Sequence, residues 1–133
     1  LATRNAAIAK WLGFCRAELQ KRVADKPQRP QDYRRSVKLS CNCKDCQALA
    51  AFLADPTKRE ARFPMAKARR QHLHNIIDRH SCDCTHITDR RGSPQTLVCT
   101  KTTASYDSAR EIFDRDGANL ARILEIERRL IRA

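Results

Sequence analysis

Cysteine and histidine side chains are concentrated in two short stretches of the chain. The first stretch is CNCKDC, at residues 41–46, and the second is HSCDCTH, at residues 80–86, with a further cysteine at position 99. All four histidines fall between residues 72 and 86, interleaved with cysteines. Thiolate and imidazole are the ligands that zinc prefers in proteins. The candidate metal ligands are Cys41, Cys43, Cys46, His74, His80, Cys82, Cys84, His86 and Cys99.

The spacing of these residues favours a metal site over a disulfide framework. Cys43 and Cys46 form a C-x-x-C pair, which supplies two zinc ligands from one tight turn. Clustered cysteines also pair as disulfides in secreted proteins, but disulfides give no reason for the interleaved histidines. Six clustered cysteines and two histidines suffice for two tetrahedral sites. The sequence therefore predicts two structural zinc ions.

The partition of ligands between the two ions stays open at this point. One partition joins the first cysteine group to a helical histidine, and the other interleaves the two groups. The first partition is Cys41, Cys43, Cys46 with His74 or His72, and Cys82, Cys84, His86 with Cys99. In the second partition, one site contains Cys43, Cys46, His74 and Cys99, and the other contains Cys41, His80, Cys82 and Cys84. His72 is the weaker candidate of its pair, because two residues along an α-helix point about 200° apart.

The motifs of common enzymes are absent from the sequence. It contains no Gly-rich phosphate loop, nucleophile elbow or paired-carboxylate arrangement. A zinc-supported nuclease of the ββα-metal kind does not fit, since His72 and His74 lie on a predicted helix before the hairpin. Closed four-ligand zinc sites leave no position for water, so their default role is structural. The chain is predicted not to be an enzyme.

The chain is strongly basic, with 27 lysines and arginines against 15 acidic residues and a formal net charge of +12. Residues 16–38 and residues 57–72 each carry a net charge of +5, whereas residues 104–133 are neutral. Such an excess of positive side chains destabilises a compact chain by mutual repulsion, and polyanions are the usual partners of such chains. Few aromatic side chains are available for base stacking, which favours duplex DNA over a single strand.

The predicted nucleic-acid contacts cluster around a helix at residues 64–80. A metal-anchored helix with basic residues on its outer face is a common way to present side chains to a groove. The predicted contacts are Arg29, Arg34, Arg35, Lys38, Lys58, Arg59, Arg62, Lys67, Arg69, Arg70, Gln71, Arg90, Arg91 and Lys101. The alternative is a zinc-stabilised protein-interaction module whose basic face meets an acidic partner. A third hypothesis, a labile metal store, predicts zinc loss without unfolding.

The elements needed to position these residues are mostly helical. We expect one zinc-stabilised domain over residues 1–133, mostly α with a small β-hairpin, belonging to a larger nuclear or intracellular protein. No apolar run reaches the roughly 18–20 residues that span a bilayer, so we expect no membrane partner. The predicted parts are an N-terminal helix (1–25), a Cys/His zinc core (41–101) and a C-terminal scaffold helix (105–132). Within the core we expect a strand at 36–41, helices at 44–55 and 64–80, and a hairpin at 85–102. The last helix is expected to break or kink at 114–119.

Overall fold

The computed structural model describes residues 2–132 and is mostly helical, with a small three-stranded antiparallel sheet. The backbone divides into two compact units, residues 1–28 with 106–133 and residues 29–105. The elements are α1 (Ala2–Ala24), α2 (Lys44–Ala54), β1 (Glu60–Pro64), α3 (Lys67–His80), β2 (Cys84–Asp89), β3 (Thr96–Lys101) and α4 (Ala104–Arg132).

The first unit is formed by the helices α1 and α4. Arg16 pairs with Glu127 at 3.5 Å, and Arg22 pairs with Asp116 at 3.6 Å. Of the break or kink predicted at residues 114–119, the break is not present, because α4 is continuous through this stretch. Glycine inside a helix costs only about 1 kcal/mol relative to alanine. That cost at Gly117 is small in a helix of 29 residues, because each further residue adds to a helix that is already formed.

The sheet of the second unit has the strand order β1-β3-β2. The predicted hairpin is present as β2 and β3, but β1 was not predicted. Its register on β3 runs from Glu60 opposite Thr100 to Pro64 opposite Thr96. The helix expected from residue 64 begins instead at Lys67. Proline lacks a backbone N–H and is tolerated at the end of an edge strand, which is where Pro64 lies.

The strand predicted at residues 36–41 is not formed. This segment has no assigned helix or strand, although Val37, Leu39 and Cys41 pack against the core, as their alternation suggested. Just before the segment, the Arg35 backbone N–H donates to the Leu53 carbonyl at 2.7 Å, and within it the Ser40 backbone N–H donates to His80 Nε2 at 3.2 Å. The alternating pattern thus identified which side chains face the core. The backbone N–H groups of this region, however, hydrogen-bond to residues near the ends of α2 and α3 and not to a neighbouring strand.

The core of the second unit contains residues of α2, α3 and the central strand β3. Phe52 packs edge-on against Phe63 with ring centroids 6.3 Å apart, and the Lys101 ammonium lies 4.4 Å from the Phe52 ring. Three cysteines belong to this core, which places thiols where they can be enclosed from solvent. The buried members are Cys46, Leu49, Phe52, Leu53, Met65, Leu73, Ile76, Ile77, Cys82, Leu97 and Cys99.

Candidate metal centre

Three cysteines and one histidine converge at the start of α2. Cys43 is the N-cap residue of this helix, and its Sγ accepts a hydrogen bond from the Cys46 backbone N–H at 3.4 Å. Cys41 precedes the cap in extended backbone, and His72 reaches the group from the middle of α3. The Sγ atoms of Cys41, Cys43 and Cys46 and a ring nitrogen of His72 all lie within 4.8 Å of one another.

The distances in this group match those of a shared tetrahedral metal. The His72 Nε2 lies 3.6 Å from the Cys43 Sγ and 3.4 Å from the Cys46 Sγ. Zinc–sulfur bonds of about 2.3 Å and zinc–nitrogen bonds of about 2.0–2.1 Å, at the tetrahedral angle, separate the two donor atoms by about 3.5 Å. An imidazole nitrogen makes a single hydrogen bond, so two thiols at similar distance from Nε2 are better explained by a common metal. This Cys₃His cluster can hold a metal ion.

Electrostatics within the cluster favour a cation. The Cys46 backbone N–H, with further hydrogen bonds from neighbouring side chains, lowers the pKa of Cys43 to about 7. Burial raises the pKa of Cys46 to about 12, and the neighbouring thiols Cys43 and Cys41 add to this increase. A second thiolate is thus disfavoured beside the first while no positive charge is present. A bound divalent cation removes this penalty, because it stabilises all the ligands in their deprotonated form.

An ion pair joins the same two helices beside the cluster. The Arg69 guanidinium donates to both carboxylate oxygens of Asp45, at 2.9 Å and 2.7 Å. This bidentate geometry is the strong form of an Arg–carboxylate contact, and it lowers the pKa of Asp45. Asp45 lies in the first turn of α2, where a negative charge also interacts favourably with the helix dipole. The pair and the cluster together hold α3 against the start of α2.

His74 and His86, two of the predicted ligands, contact each other instead of the cluster. Their Nδ1 atoms are 2.6 Å apart, the His86 Nε2 lies 2.6 Å from Asp78 Oδ1, and the His74 Nε2 lies 3.2 Å from Thr88 Oγ1. Burial lowers the pKa of His74. The result is a hydrogen-bonded chain that connects α3 to β2. Thus His72 occupies the ligand position for which His74 was preferred.

The remaining predicted ligands lie elsewhere in the second unit. Cys84 and Cys99 interact through their side chains, which lowers the pKa of Cys84 and raises that of Cys99. Burial raises the pKa of Cys82, which lies nearby, to about 11. His80 turns away, with its Nε2 2.9 Å from the Ser40 hydroxyl. Among the residues that the structure describes, no second group of three or more such ligand atoms lies within 4.8 Å.

The predicted nucleic-acid contacts divide into three groups by environment. Three are buried, and their charged groups bond to backbone or side-chain oxygens: Arg35, Arg70 and Lys101. Three are exposed but pair with carboxylates: Arg62, Arg69 and Arg91. The others are exposed: Arg29, Arg34, Lys38, Lys58, Arg59, Lys67, Gln71 and Arg90. Burial removes the first group from any outer surface, since long cationic side chains placed inside act there as hydrogen-bond donors.

A signal in the sequence could have identified His72. Residues three apart lie on the same side of a helix, and Arg69 and His72 have this spacing. Arg69 complements Asp45, which adjoins Cys46 in the sequence. The charge pair between the two helices therefore indicates that the His72 side of α3 faces the cysteines.

Comparisons with the families of known proteins, with curated proteins and with solved structures find no match. In the described part of the chain, no helix combines the length and apolar character needed to cross a membrane. The fold and the cluster define a small mixed α and β unit with a candidate Cys₃His metal centre, attached to a pair of helices.

Proposed function

We propose that the chain is a zinc-dependent nucleic-acid-binding module that acts in the nucleus and favours duplex DNA. The observation that carries the proposal is the location of the charge. Residues 29–105 contain 15 basic and 7 acidic side chains, so +8 of the net +12 belongs to the unit that contains the metal cluster. A basic surface held by a structural metal is the usual arrangement for contacting phosphates.

Zinc is the proposed metal because of the donor set. Three thiolates with one imidazole form a standard structural zinc site, and soft sulfur ligands disfavour magnesium and calcium. The second proposed ion has Cys82, Cys84 and Cys99 as its ligands, with a fourth donor from a histidine. His80, which adjoins this cysteine group in the sequence, is the proposed fourth donor, because both ring nitrogens of His86 are engaged by His74 and Asp78. Two ions would compensate for a core of limited size.

The contact surface proposed here differs from the helix face expected from the sequence. Arg69 and Arg70 are engaged within the protein, whereas Lys58 and Arg59 are exposed just before β1. The proposed surface, called the basic edge, consists of Lys58, Arg59, Lys67 and Arg90. These side chains come from the segment before β1, the first turn of α3 and the β2–β3 turn. The register of β1 and β2 on β3 sets Lys58 and Arg59 at one end of the sheet and Arg90 at the other, so the basic edge extends along the length of the sheet.

A charge-matched pair of variants tests this proposal. Lys58→Glu/Arg59→Glu changes the basic edge, and Arg4→Glu/Lys10→Glu changes exposed residues of α1. Each double variant lowers the formal net charge from +12 by the same four charges. In a mobility-shift assay with duplex DNA at about 100 mM salt, the first variant should bind about tenfold or more weakly and the second nearly as the parent chain.

Two results would contradict the proposal. The first is a parent chain that shifts no duplex below about 10 μM, a range that non-specific binding of basic proteins reaches. Equal losses in both variants would show that the total charge matters and that the basic edge does not. Circular dichroism of each variant serves as the control for folding.

A second candidate function is a protein-interaction module. Ile87 is 64% exposed on the edge strand β2, and an exposed apolar side chain on an unpaired strand edge suits an added strand. Ile87→Lys separates the two functions. It should abolish capture of an acidic partner through this edge, while leaving duplex binding unchanged or slightly stronger.

A further inference from the structure

A cavity of about 770 Å³ opens between α3 and the turn that joins β2 to β3. Ligand sites for small molecules occupy roughly 300–1,000 Å³, so the cavity accommodates more than a simple ion. Three cationic side chains line it, Lys67, Arg70 and Arg90, and none of its ten lining residues is acidic. The cavity therefore concentrates positive charge in a concave site.

Arg70 is the innermost of the three cations, with 8% of its surface exposed. Its Nη1 donates to the Met65 carbonyl at 2.6 Å and its Nη2 donates to Gln95 Oε1 at 3.2 Å. Both acceptors are neutral, and no carboxylate of the described residues lies within 4.0 Å of the guanidinium. A buried charge is costly unless an opposite charge pairs with it. An anion in the cavity would supply that partner.

Lys67 and Arg90 differ from the neighbouring cations outside the cavity. Arg69 is paired with Asp45, and Arg91 is paired with Asp89. Within residues 4–132, neither the Lys67 ammonium nor the Arg90 guanidinium has a hydrogen-bond or ion-pair partner, and both side chains are exposed. The arginines beside the cavity are thus paired with carboxylates, whereas Lys67 and Arg90, which line the cavity, are available to bind a ligand.

The wall of the cavity also offers polar groups beyond its cations. His74 and Thr88 line it, and their hydrogen bond of 3.2 Å holds the imidazole in place. The His86–Asp78 chain fixes the other side of the same ring. A fixed imidazole and a hydroxyl are suited to the oxygens of a sugar or a phosphate group, because both can exchange hydrogen bonds with them.

We propose that this cavity binds a terminal phosphate, carried by a nucleotide or by the end of a nucleic-acid strand. A phosphomonoester has a charge of about −1.5 to −2 at neutral pH, whereas a backbone diester has a single negative charge. Three cations without a carboxylate favour the more highly charged group. The inference rests on the proposed nucleic-acid binding and specifies the chemical group that the second unit recognises.

Fluorescence anisotropy with a short DNA strand labelled at its 3′ end tests this inference. The strand is compared with a 5′-phosphate and with a 5′-hydroxyl, single-stranded and annealed, and a nucleoside 5′-monophosphate is tested separately by calorimetry. The parent chain should bind the 5′-phosphorylated strand about tenfold more tightly. Arg90→Gln should lose this preference, and Arg91→Gln, its neighbour outside the cavity, should keep it.

The outcomes separate this inference from the proposed function. Equal affinity for both strand ends would overturn the cavity proposal while nucleic-acid binding stands. Binding of the monophosphate alone, lost in Arg90→Gln, would support the cavity with free nucleotide as its ligand and contradict the proposed function. Absence of binding to every probe would overturn both. Arg90 is exposed in a turn, so its replacement should leave the melting temperature unchanged.

Discussion

His72 and His74 have different roles because they flank Leu73 on α3. Leu73 is fully buried, and side chains on either side of it in the sequence point about 100° to its left and right around the helix axis. One flank faces α2 and brings His72 to the cysteines, while the other faces β2 and brings His74 to His86. Only one of the two histidines can therefore belong to the Cys₃His cluster.

Replacing each of the two histidines by alanine gives a matched pair of variants. His72→Ala removes a zinc ligand, so native mass spectrometry should count one ion fewer than in the parent chain, and metal affinity should fall at least about tenfold. His74→Ala removes a hydrogen-bond partner and should retain the full ion count. The reverse result, with loss in His74→Ala alone, would contradict the cluster.

The Cys/His composition of the candidate metal centre was predictable from residue types, but its geometry was not. The C-x-x-C spacing of Cys43 and Cys46 identified the start of the cluster, because two thiols so close in sequence have few other roles. The helical ligand needed knowledge of which flank of α3 faces α2, and that depends on packing. Similarly, the charge of Arg70 was evident in the sequence, whereas its burial depends on the loop beside it.

At the level of elements, Asp89 connects the end of β2 to the turn that follows it and to the strand β1. Its carboxylate accepts hydrogen bonds from the Arg91 backbone N–H at 3.0 Å and from the Arg62 guanidinium at 2.7 Å. The first contact fixes the turn after β2, and the second reaches β1 on the opposite edge of the sheet. Hydrogen bonds from Arg91, then Arg62, hold the pKa of Asp89 well below its usual range.

This shift gives the hairpin an acid-dependent contribution to stability. A carboxylate with a lowered pKa in the folded state stabilises the fold above its unfolded pKa of about 3.9 and loses that effect as pH falls through the folded value. Asp89→Asn should therefore lower the melting temperature at pH 7 and reduce its decline below about pH 4. Asp25→Asn, at the exposed end of α1, is the control. Parallel pH profiles for the parent chain and Asp89→Asn would contradict the assignment.

Helices were more predictable than strands in this chain. The helical periods of α1, α2 and α4 extend over many residues, so the local pattern alone identifies them. The strand β1 has five residues, and its pairing partner β3 lies more than thirty positions further along the chain. Residues 36–41 carry the same alternation without a sheet partner. Strand formation depends on such a non-local partner, which the local pattern does not contain.

For the whole molecule, the two units differ in what stabilises them. The candidate Cys₃His metal centre belongs to the unit at residues 29–105, and α1 and α4 contribute none of its four residues. The helices of that unit are short, 11 residues in α2 and 14 in α3, and isolated helices of this length are marginal in water. A metal in the Cys₃His cluster would join them directly, through Cys43 and Cys46 on one side and His72 on the other.

Zinc removal should therefore act on one unit alone. After chelation of the zinc-loaded full chain, hydrogen–deuterium exchange of peptides from α2 and α3 should rise by about a hundredfold or more, since metal binding and folding are coupled. Peptides from α1 and α4 should keep their protection, because their packing does not involve the metal. Readdition of zinc should restore the parent pattern, whereas readdition of magnesium should not. Unchanged exchange in α2 and α3 after complete zinc release would contradict a structural metal and favour a labile metal store.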